Sequence, residues 1–209
     1  MLNTMSAPPK IGPATFADLL AIPEEDRRHE IIDGFLVEKG AATYPHGFAQ
    51  RRISAWLAPY DRKPSGRSPG GWWFVLEVEI ILESSQVFRP DITGWRRDRL
   101  PAQPDWPVST KPDWVCEVLS TNRQNDLVKK KRALHRHQVP HYWIIDPVDE
   151  TLTVYRWHLD GYLEVLIADR TQRVRAEPFG DVELKVGILF GDDDDDDDDE
   201  PQLRPQPGT

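Results

Sequence analysis

The sequence predicts an α/β domain of the α+β kind, in which a central mixed β-sheet is flanked by helices. Three observations support this prediction. Residues 114–119 and 142–145 are apolar runs with the composition of buried strands. The segment between them is long enough for a crossover helix, so the two strands are expected to be parallel. The short connection at residues 84–86 instead predicts two antiparallel neighbours, which makes the sheet mixed.

Length and composition favour a single domain without disulfides or membrane spans. The chain has 209 residues, enough for one domain with a substantial core. Its single cysteine, Cys116, excludes an internal disulfide and a cysteine-based zinc cluster. No apolar run approaches the length of a membrane span, and the N-terminus lacks the apolar core of a signal peptide. We therefore expect a cytoplasmic protein.

The acidity of the chain is concentrated at its C-terminal end. The formal net charge is −9, but nine of the 35 acidic residues and only one of the 26 basic residues lie in residues 192–209, which leaves 26 acids and 25 bases. Consecutive aspartates followed by prolines cannot bury a core, so residues 191–209 are expected to be a disordered tail. It is interpreted as a solubilising tail, with mimicry of nucleic acid as the alternative. Residues 1–13 are expected to be a flexible N-terminal tail, and residues 14–190 the folded domain.

The elements before residue 72 follow from caps, turns and periodicity. A threonine can cap the first helix, an Asp-Gly pair between apolar runs marks a hairpin, and apolar spacing marks the second helix. In chain order these are a short helix from Thr15 to before Pro23, a hairpin centred on Asp33 and Gly34, a helix over residues 45–60 and a loop over residues 65–71.

Residues 72–82 form the most strand-like stretch of the chain. The even positions are all apolar, and the odd positions include Glu77 and Glu79. In one continuous strand these two carboxylates would lie on the same face, roughly 7 Å apart. Ordinary solvent-facing acids are the alternative interpretation.

A second strand is predicted over residues 87–95, interrupted by Pro90. A proline inside a strand indicates an edge or a bulge. A bulge there could aim Asp91 toward the face that carries Glu79.

The remaining predicted elements follow in chain order. They are a polar loop at residues 97–112, a strand at residues 151–157 that pairs with residues 142–145, a turn at residues 160–161 into a strand at residues 162–167, and a closing segment at residues 182–190.

Glu117 is an anomaly because it lies inside an apolar run that favours burial. A buried carboxylate needs a cation or hydrogen bonds to offset its desolvation. On the predicted crossover helix, Lys130 and Lys131 flank the apolar stripe, so either lysine could lean toward the sheet face that carries Glu117. The alternative is an exposed ion pair between Asp126 and Lys130, one helical turn apart.

The predicted elements bring together acids that suit a divalent metal. Glu79, Asp91 and Glu117 lie on adjacent predicted strands, and Lys130 or Lys131 lies on the following helix. Clustered carboxylate oxygens suit Mg²⁺ or Mn²⁺. A divalent metal with a lysine beside its bound water is an arrangement that favours phosphodiester hydrolysis.

Several segments of the chain match the pattern of a known family: residues 29–34, His46, residues 89–95, residues 112–120, Asp126 with Lys130, and residues 139–147. On these segments the chain resembles the Uma-two family of restriction endonucleases, a branch of the PD-(D/E)XK nuclease superfamily. The resemblance covers about residues 14–190. The run Glu117-Val118-Leu119-Ser120 with Asp126, Lys130 and the Tyr142-Trp143 strand is the specific part of the match.

The resemblance implies a restriction-endonuclease-like core and a set of site residues. Asp91 matches the aspartate of the superfamily motif, and Glu117 matches its second acid. Leu119 occupies the place of the usual lysine, which in this family has moved to the helix and corresponds to Lys130. Glu79 matches an acidic position and would be a third metal ligand.

Other matched positions carry less information about function. Glu30 and His46 match family positions, and a core hydrogen bond is the expected use of His46. Leu134 and Gln138 depart from the family pattern but do not touch the proposed chemistry.

The resulting hypothesis is an Mg²⁺- or Mn²⁺-dependent DNA endonuclease that acts as a homodimer. Asp91, Glu117 and Lys130 would be catalytic, with Glu79, Asp91 and Glu117 as metal ligands. Arg96, Arg97 and Arg123 would contact DNA phosphates, although the near-neutral body has no concentrated basic stripe. The alternatives are a non-catalytic nucleic-acid- or partner-binding protein with the nuclease fold, and hydrolysis of another phosphoester.

Overall fold

The computed structural model describes residues 13–66 and 68–193. The strands in chain order are β1 (His29–Ile32), β2 (Phe35–Glu38), β3 (Trp72–Leu76), β4 (Ile80–Glu83), β5 (Gln86–Phe88), β6 (Ile92–Arg96), β7 (Trp114–Val118), β8 (His141–Asp146), β9 (Thr151–Arg156), β10 (Leu163–Asp169), β11 (Arg173–Val174) and β12 (Leu184–Lys185). The helices are α1 (Phe16–Leu20), α2 (Tyr44–Leu57) and α3 (Lys131–Arg136), with 3₁₀ turns at Glu24–Asp26 and Val186–Phe190 and a π-helical turn at Asn125–Lys130.

A six-stranded mixed sheet forms the centre of the fold, with strand order β10-β9-β8-β7-β6-β3. Strands β7 and β8 are parallel, and their neighbours on both sides pair antiparallel. The π-helical turn and α3 connect β7 to β8 as the crossover. The predicted fold class is confirmed: the protein is a mixed α+β domain whose central sheet is flanked by helices.

The two faces of the central sheet bury different partners. On one face, α2 and the C-terminal segment pack against side chains such as Cys116 and Trp143. On the other face, α3 and the smaller sheet pack against Val115, Leu119 and Ile144. Alternation along β7 therefore directs Glu117 toward the crossover helix, as the sequence predicted.

The smaller sheet has four antiparallel strands in the order β2-β1-β5-β4. The Asp33-Gly34 pair joins β1 and β2 with positive φ at both residues, 51° and 81°, which is the geometry of a tight hairpin turn. The Thr15 side chain caps α1 by accepting a hydrogen bond from the Asp18 backbone N–H, and the Asp18 carboxylate accepts one from the Thr15 backbone N–H, which completes a capping box. The hairpin and the first helix are confirmed.

The prediction of one continuous strand over residues 72–82 is wrong. The chain breaks at Glu77, whose φ of 53° is left-handed, and the two halves join different sheets. Trp72 faces one core and Ile80 faces the other, so the even positions change faces at the break although they stay apolar in the sequence. The predicted strand over residues 87–95 divides in the same way at Pro90, into β5 of the small sheet and β6 of the central sheet.

The tails predicted at residues 1–13 and 191–209 lie almost entirely outside the described residues. Among the residues that the structure describes, no helix is both long and apolar enough to cross a membrane.

Candidate active site

A cleft of about 340 Å³ opens where the two sheets meet, beside the C-terminal end of β7. Both chain breaks lie at this junction, and the Glu77 backbone N–H donates to the Pro90 carbonyl at 3.2 Å. The breaks therefore bring Glu77 and Asp91 to the same place. The charged described residues that line the cleft are Arg28, Glu30, Lys39, Glu77, Arg89, Asp91, Glu117, Asp126 and Lys130, together with His46.

Asp91 is buried at the start of β6 and each of its oxygens has a partner. Oδ2 accepts from the Val118 backbone N–H at 2.7 Å and from His46 Nε2 at 3.2 Å. Oδ1 lies 3.0 Å from Lys39 Nζ. Burial alone would raise the pKa of Asp91, but the hydrogen bond from His46 and the charge of Lys39 hold that pKa below its usual range. Asp91 is therefore ionised at neutral pH.

Glu117 is buried in the middle of the parallel pair and lies next to Asp91. Its Oε2 accepts from the Asp91 backbone N–H at 3.3 Å, and its Oε1 lies 2.9 Å from Lys130 Nζ. Burial raises the pKa of Glu117 well above its usual value, against the opposing charge of Lys130. The expected convergence of Asp91, Glu117 and Lys130 is thus present in the structure.

Lys130 is buried and surrounded by carboxylates. Its Nζ lies 2.8 Å from Glu30, 2.9 Å from Glu117 and 3.0 Å from Asp126. Burial would lower the pKa of this ammonium, but the three carboxylates outweigh burial and raise it well above its usual value. The alternative interpretation, an exposed Asp126–Lys130 ion pair, is wrong because both residues are buried. Lys131 instead lies over the Tyr155 ring, with Nζ 3.5 Å from its centroid.

The crossover helix positions this lysine through its first turns. The π-helical turn at Asn125–Lys130 turns Asp126 and Lys130 toward β7, and the Tyr142 hydroxyl donates to the Asp126 carbonyl at 3.0 Å. Single π-helical turns inside a helix are frequent at functional sites. Tyr142 lies on the neighbouring parallel strand, so the strand–helix–strand unit holds both ends of the contact.

His46 and Glu30 support the cluster from other elements. His46, near the start of α2, makes the buried hydrogen bond that was its expected use, and its partner is Asp91. Its pKa is raised, because the hydrogen bond and charge of Asp91 outweigh the burial that lowers it. Glu30 on β1 accepts from the Arg89 backbone N–H at 2.7 Å through its other oxygen, which ties the small sheet to Lys130.

The sequence did not single out Lys39, which follows β2 directly. Its Nζ lies within 3.0 Å of an oxygen of Asp91, an oxygen of Glu77 and the Arg89 carbonyl. No pattern in the sequence marks a lysine at a strand end, so this contact could be found only from the fold.

The prediction that Glu79 belongs to the carboxylate cluster is wrong. The left-handed residue at position 77 ends the strand alternation, and Glu79 does not line the cleft. Its carboxylate accepts a hydrogen bond from the Trp106 indole at 3.1 Å. Glu77 lines the cleft instead of Glu79, and its Oε2 lies 3.0 Å from Lys39 Nζ.

The three arginines that are expected to contact DNA lie outside the cleft and already contact other residues of the protein. Arg96 ends β6, roughly 16 Å of extended chain from Asp91, and its guanidinium covers Trp72. Arg97 donates to the Trp72 carbonyl at 2.6 Å and stacks on an indole ring. Arg123 forms ion pairs with Asp146 and Asp149. None of these three arginines lines the cleft, and their contacts with DNA phosphates stay predictions.

The residues present fit a divalent metal through two carboxylates and not through three. Within the described parts of the chain, no three His, Cys, Asp or Glu side chains are arranged to hold a metal ion. Asp91 and Glu117 nevertheless lie side by side, linked by the Asp91 backbone N–H. Because Mg²⁺ usually binds through one or two carboxylates and keeps several waters, this pair fits such an ion.

The fold and this acid–lysine cluster place the chain among nuclease-fold α/β proteins. One similar solved structure is the crystal structure of a putative nuclease belonging to DUF820 from Anabaena variabilis ATCC 29413. The TM-score is 0.67 at 24% identity, covering 85% of this chain and 98% of that chain, so the likeness concerns the fold. The chain belongs to the Uma2 family, described as "Putative restriction endonuclease", whose model matches residues 16–187. A comparison with curated proteins finds no match.

Proposed function

We propose that the protein is a metal-dependent DNA endonuclease that hydrolyses phosphodiester bonds. The observation that carries this proposal is the adjacent pair of buried carboxylates, Asp91 and Glu117, with the ammonium of Lys130 2.9 Å from Glu117. The Uma2 family is described as "Putative restriction endonuclease" and the similar protein from Anabaena variabilis as a "putative nuclease", which supports the same reaction class.

In this proposal Asp91 and Glu117 would hold Mg²⁺ or Mn²⁺, one carboxylate each. The ion, when bound, neutralises phosphate charge and lowers the pKa of its water. His46 and the Val118 backbone N–H fix Oδ2 of Asp91, which orients the carboxylate and leaves Oδ1 to face a cation. These contacts preorganise the carboxylate before any substrate arrives.

Lys130 would act as a fixed positive charge and not as a base. Its raised pKa keeps the amine protonated at neutral pH, so its positive charge can stabilise negative charge that develops beside Glu117. Its three carboxylate partners hold it in one place, so its position relative to Glu117 does not depend on substrate.

Phosphate binding would rest on basic residues of the cleft itself. Arg28, Lys39 and Arg89 line it among five acidic residues, so these three side chains and a bound cation would together supply the positive charge that a phosphate needs. Arg96 and Arg97 stay proposed contacts to phosphates outside the cleft, and Arg123 stays a proposed contact that must first leave Asp146 and Asp149. The homodimer and the cytoplasmic location stay predictions.

The second candidate is a non-catalytic nucleic-acid- or partner-binding protein that keeps the nuclease fold. One observation favours it: each oxygen of Asp91 and Glu117 already has a protein partner, as in a purely structural network. A binding protein of this kind would need the cluster for stability and would not need a metal.

A plasmid-cleavage assay with Mg²⁺ or Mn²⁺ separates the two candidates. We expect the wild type to nick or linearise DNA, and Asp91→Asn and Glu117→Gln to lose at least about 100-fold in rate, because each removes a metal ligand. Glu79→Gln is the matched control, since Glu79 lies outside the cleft and should retain wild-type rate. Absence of cleavage by the folded wild type would favour the binding protein, and cleavage that persists in both cleft variants would indicate a contaminant.

A further inference from the structure

Lys39 occupies a position in the cleft that has the donor set of a cation site. Three oxygens from three residues surround its ammonium: Asp91 Oδ1 at 3.0 Å, Glu77 Oε2 at 3.0 Å and the Arg89 carbonyl at 2.7 Å. Carboxylate and carbonyl oxygens are the ligands that Mg²⁺ and Mn²⁺ prefer. The lysine therefore uses an oxygen of Asp91 that a hard cation held by Asp91 and Glu117 could use.

The two lysines of the cleft differ in how freely they can move. The Lys130 side chain is 2% exposed and is held by three carboxylates. The Lys39 side chain is 16% exposed, and Glu77, one of its two acidic partners, is 33% exposed. Lys39 also lies just beyond the end of β2, an edge strand, whereas Lys130 lies on a packed helix. Lys39 is thus the lysine that can leave for solvent.

Asp91 shows why such movement matters. Its Oδ2 is used by His46 and by the Val118 backbone N–H, while the described partner of Oδ1 is Lys39. A divalent ion that binds Asp91 through Oδ1 must therefore displace the lysine or share the oxygen with it. Two positive centres within about 3 Å of one oxygen repel each other strongly in a partly buried site.

We propose that Lys39 is a built-in competitor of the divalent ion: its ammonium holds the Asp91–Glu77–Arg89 oxygen set together and is displaced from it when Mg²⁺ or Mn²⁺ binds. The proposal rests on the proposed function, because it assumes that Asp91 is a metal ligand. Lys39 lowers the affinity for metal, and it preserves the order of the cleft when metal is absent. On leaving Asp91, its amine becomes available at the cleft mouth to contact a phosphate.

The test is Mn²⁺ affinity of the full chain, measured by isothermal titration calorimetry without DNA. Lys39→Met removes the charge but keeps most of the chain length, and we expect it to bind Mn²⁺ at least about tenfold more tightly than the wild type, a change of about 1.4 kcal/mol. Lys39→Arg keeps a cation and should stay close to the wild type. Lys129→Met, which changes a lysine outside the cleft lining, is the matched control.

The eight aspartates of residues 192–199 will also bind Mn²⁺, so the relevant site must be isolated. The double variant Lys39→Met/Asp91→Asn retains the tail and lacks the proposed ligand, and its isotherm is subtracted. If Lys39→Met fails to fold by circular dichroism, Lys39→Gln replaces it with a neutral side chain that can still hydrogen-bond.

The outcomes separate this inference from the proposed function. Unchanged or weaker Asp91-dependent affinity in the folded Lys39 variants overturns the competitor role, even if the wild type cleaves DNA. Tighter Asp91-dependent binding supports the role, even if no variant cleaves DNA and the endonuclease proposal fails. Absence of Asp91-dependent binding in all variants overturns both.

Discussion

Replacing Lys130 by methionine should destabilise the protein severely. The methionine nearly matches the length of the lysine but leaves Glu30, Glu117 and Asp126 without their shared cation. Removing one partner of a buried ion pair costs about 3–5 kcal/mol, because the remaining charge stays desolvated. With three carboxylates affected, we expect the upper part of this range. For a domain of this size, about 4–5 kcal/mol corresponds to a fall in melting temperature of roughly 8–20 °C.

The assay is urea unfolding at pH 7, followed by tryptophan fluorescence, with Lys129→Met as the control on the same helical segment. The folded-state pKa of Lys130 is raised, so its contribution is fully present below the unfolded value of about 10.4 and is lost only as pH rises through the folded pKa. A Lys130→Met protein within about 1 kcal/mol of the wild type would refute the reasoning, because it would mean that the carboxylates find other compensation. Adding Glu30→Gln and Asp126→Asn to Lys130→Met should recover part of the loss.

Three further predictions concern groups outside the cleft. Burial lowers the pKa of His141 to about 4, so NMR should find its midpoint there, and the free energy of unfolding should fall as pH drops from about 6.5 to 4, since the unfolded chain binds that proton first. Burial raises the pKa of Asp146, but the hydrogen bonds from Arg123 outweigh burial and lower that pKa. Asp146→Asn should therefore lower the free energy of unfolding by about 1.5–3 kcal/mol at pH 7, measured by chemical denaturation. The difference from the wild type should become smaller as pH falls below about 4. Gly34 has φ 81° in the hairpin turn, so Gly34→Ala should lower the free energy of unfolding by about 1 kcal/mol and with it the melting temperature. An unchanged melting temperature would contradict the turn geometry.

The strand–helix–strand unit could be predicted because its signals are local. An apolar run, a helical segment and a second apolar run specify a parallel pair with a crossover, and one carboxylate in the first run requires a cation. The helical wheel restricted that cation to Lys130 or Lys131, and only the family resemblance chose between them. The structure agrees with that choice and adds Glu30 as a third carboxylate partner, which lies on a different sheet.

The part of the cleft formed by Glu77 and Lys39 could not be predicted, because it depends on the break between β3 and β4. Alternation continues through residues 72–82, so nothing in the pattern shows that Glu77 adopts a left-handed φ and sends the chain into a second sheet. Alternation places Glu77 and Glu79 on the same face and does not show which of them reaches the cleft. Lys39 was missed because its partners, Glu77 and Asp91, come together only when both sheets have formed.

The most direct test of the account is to locate a bound ion. Crystals of the wild-type protein grown with Mn²⁺ should show an anomalous peak between the carboxylates of Asp91 and Glu117, at roughly 2.0–2.2 Å from one oxygen of each. In the same crystals, Lys39 should have moved away from Asp91 while Lys130 stays on Glu117. A well-ordered cleft without a peak at saturating Mn²⁺, or a peak bound by neither carboxylate, would contradict the metal-dependent endonuclease.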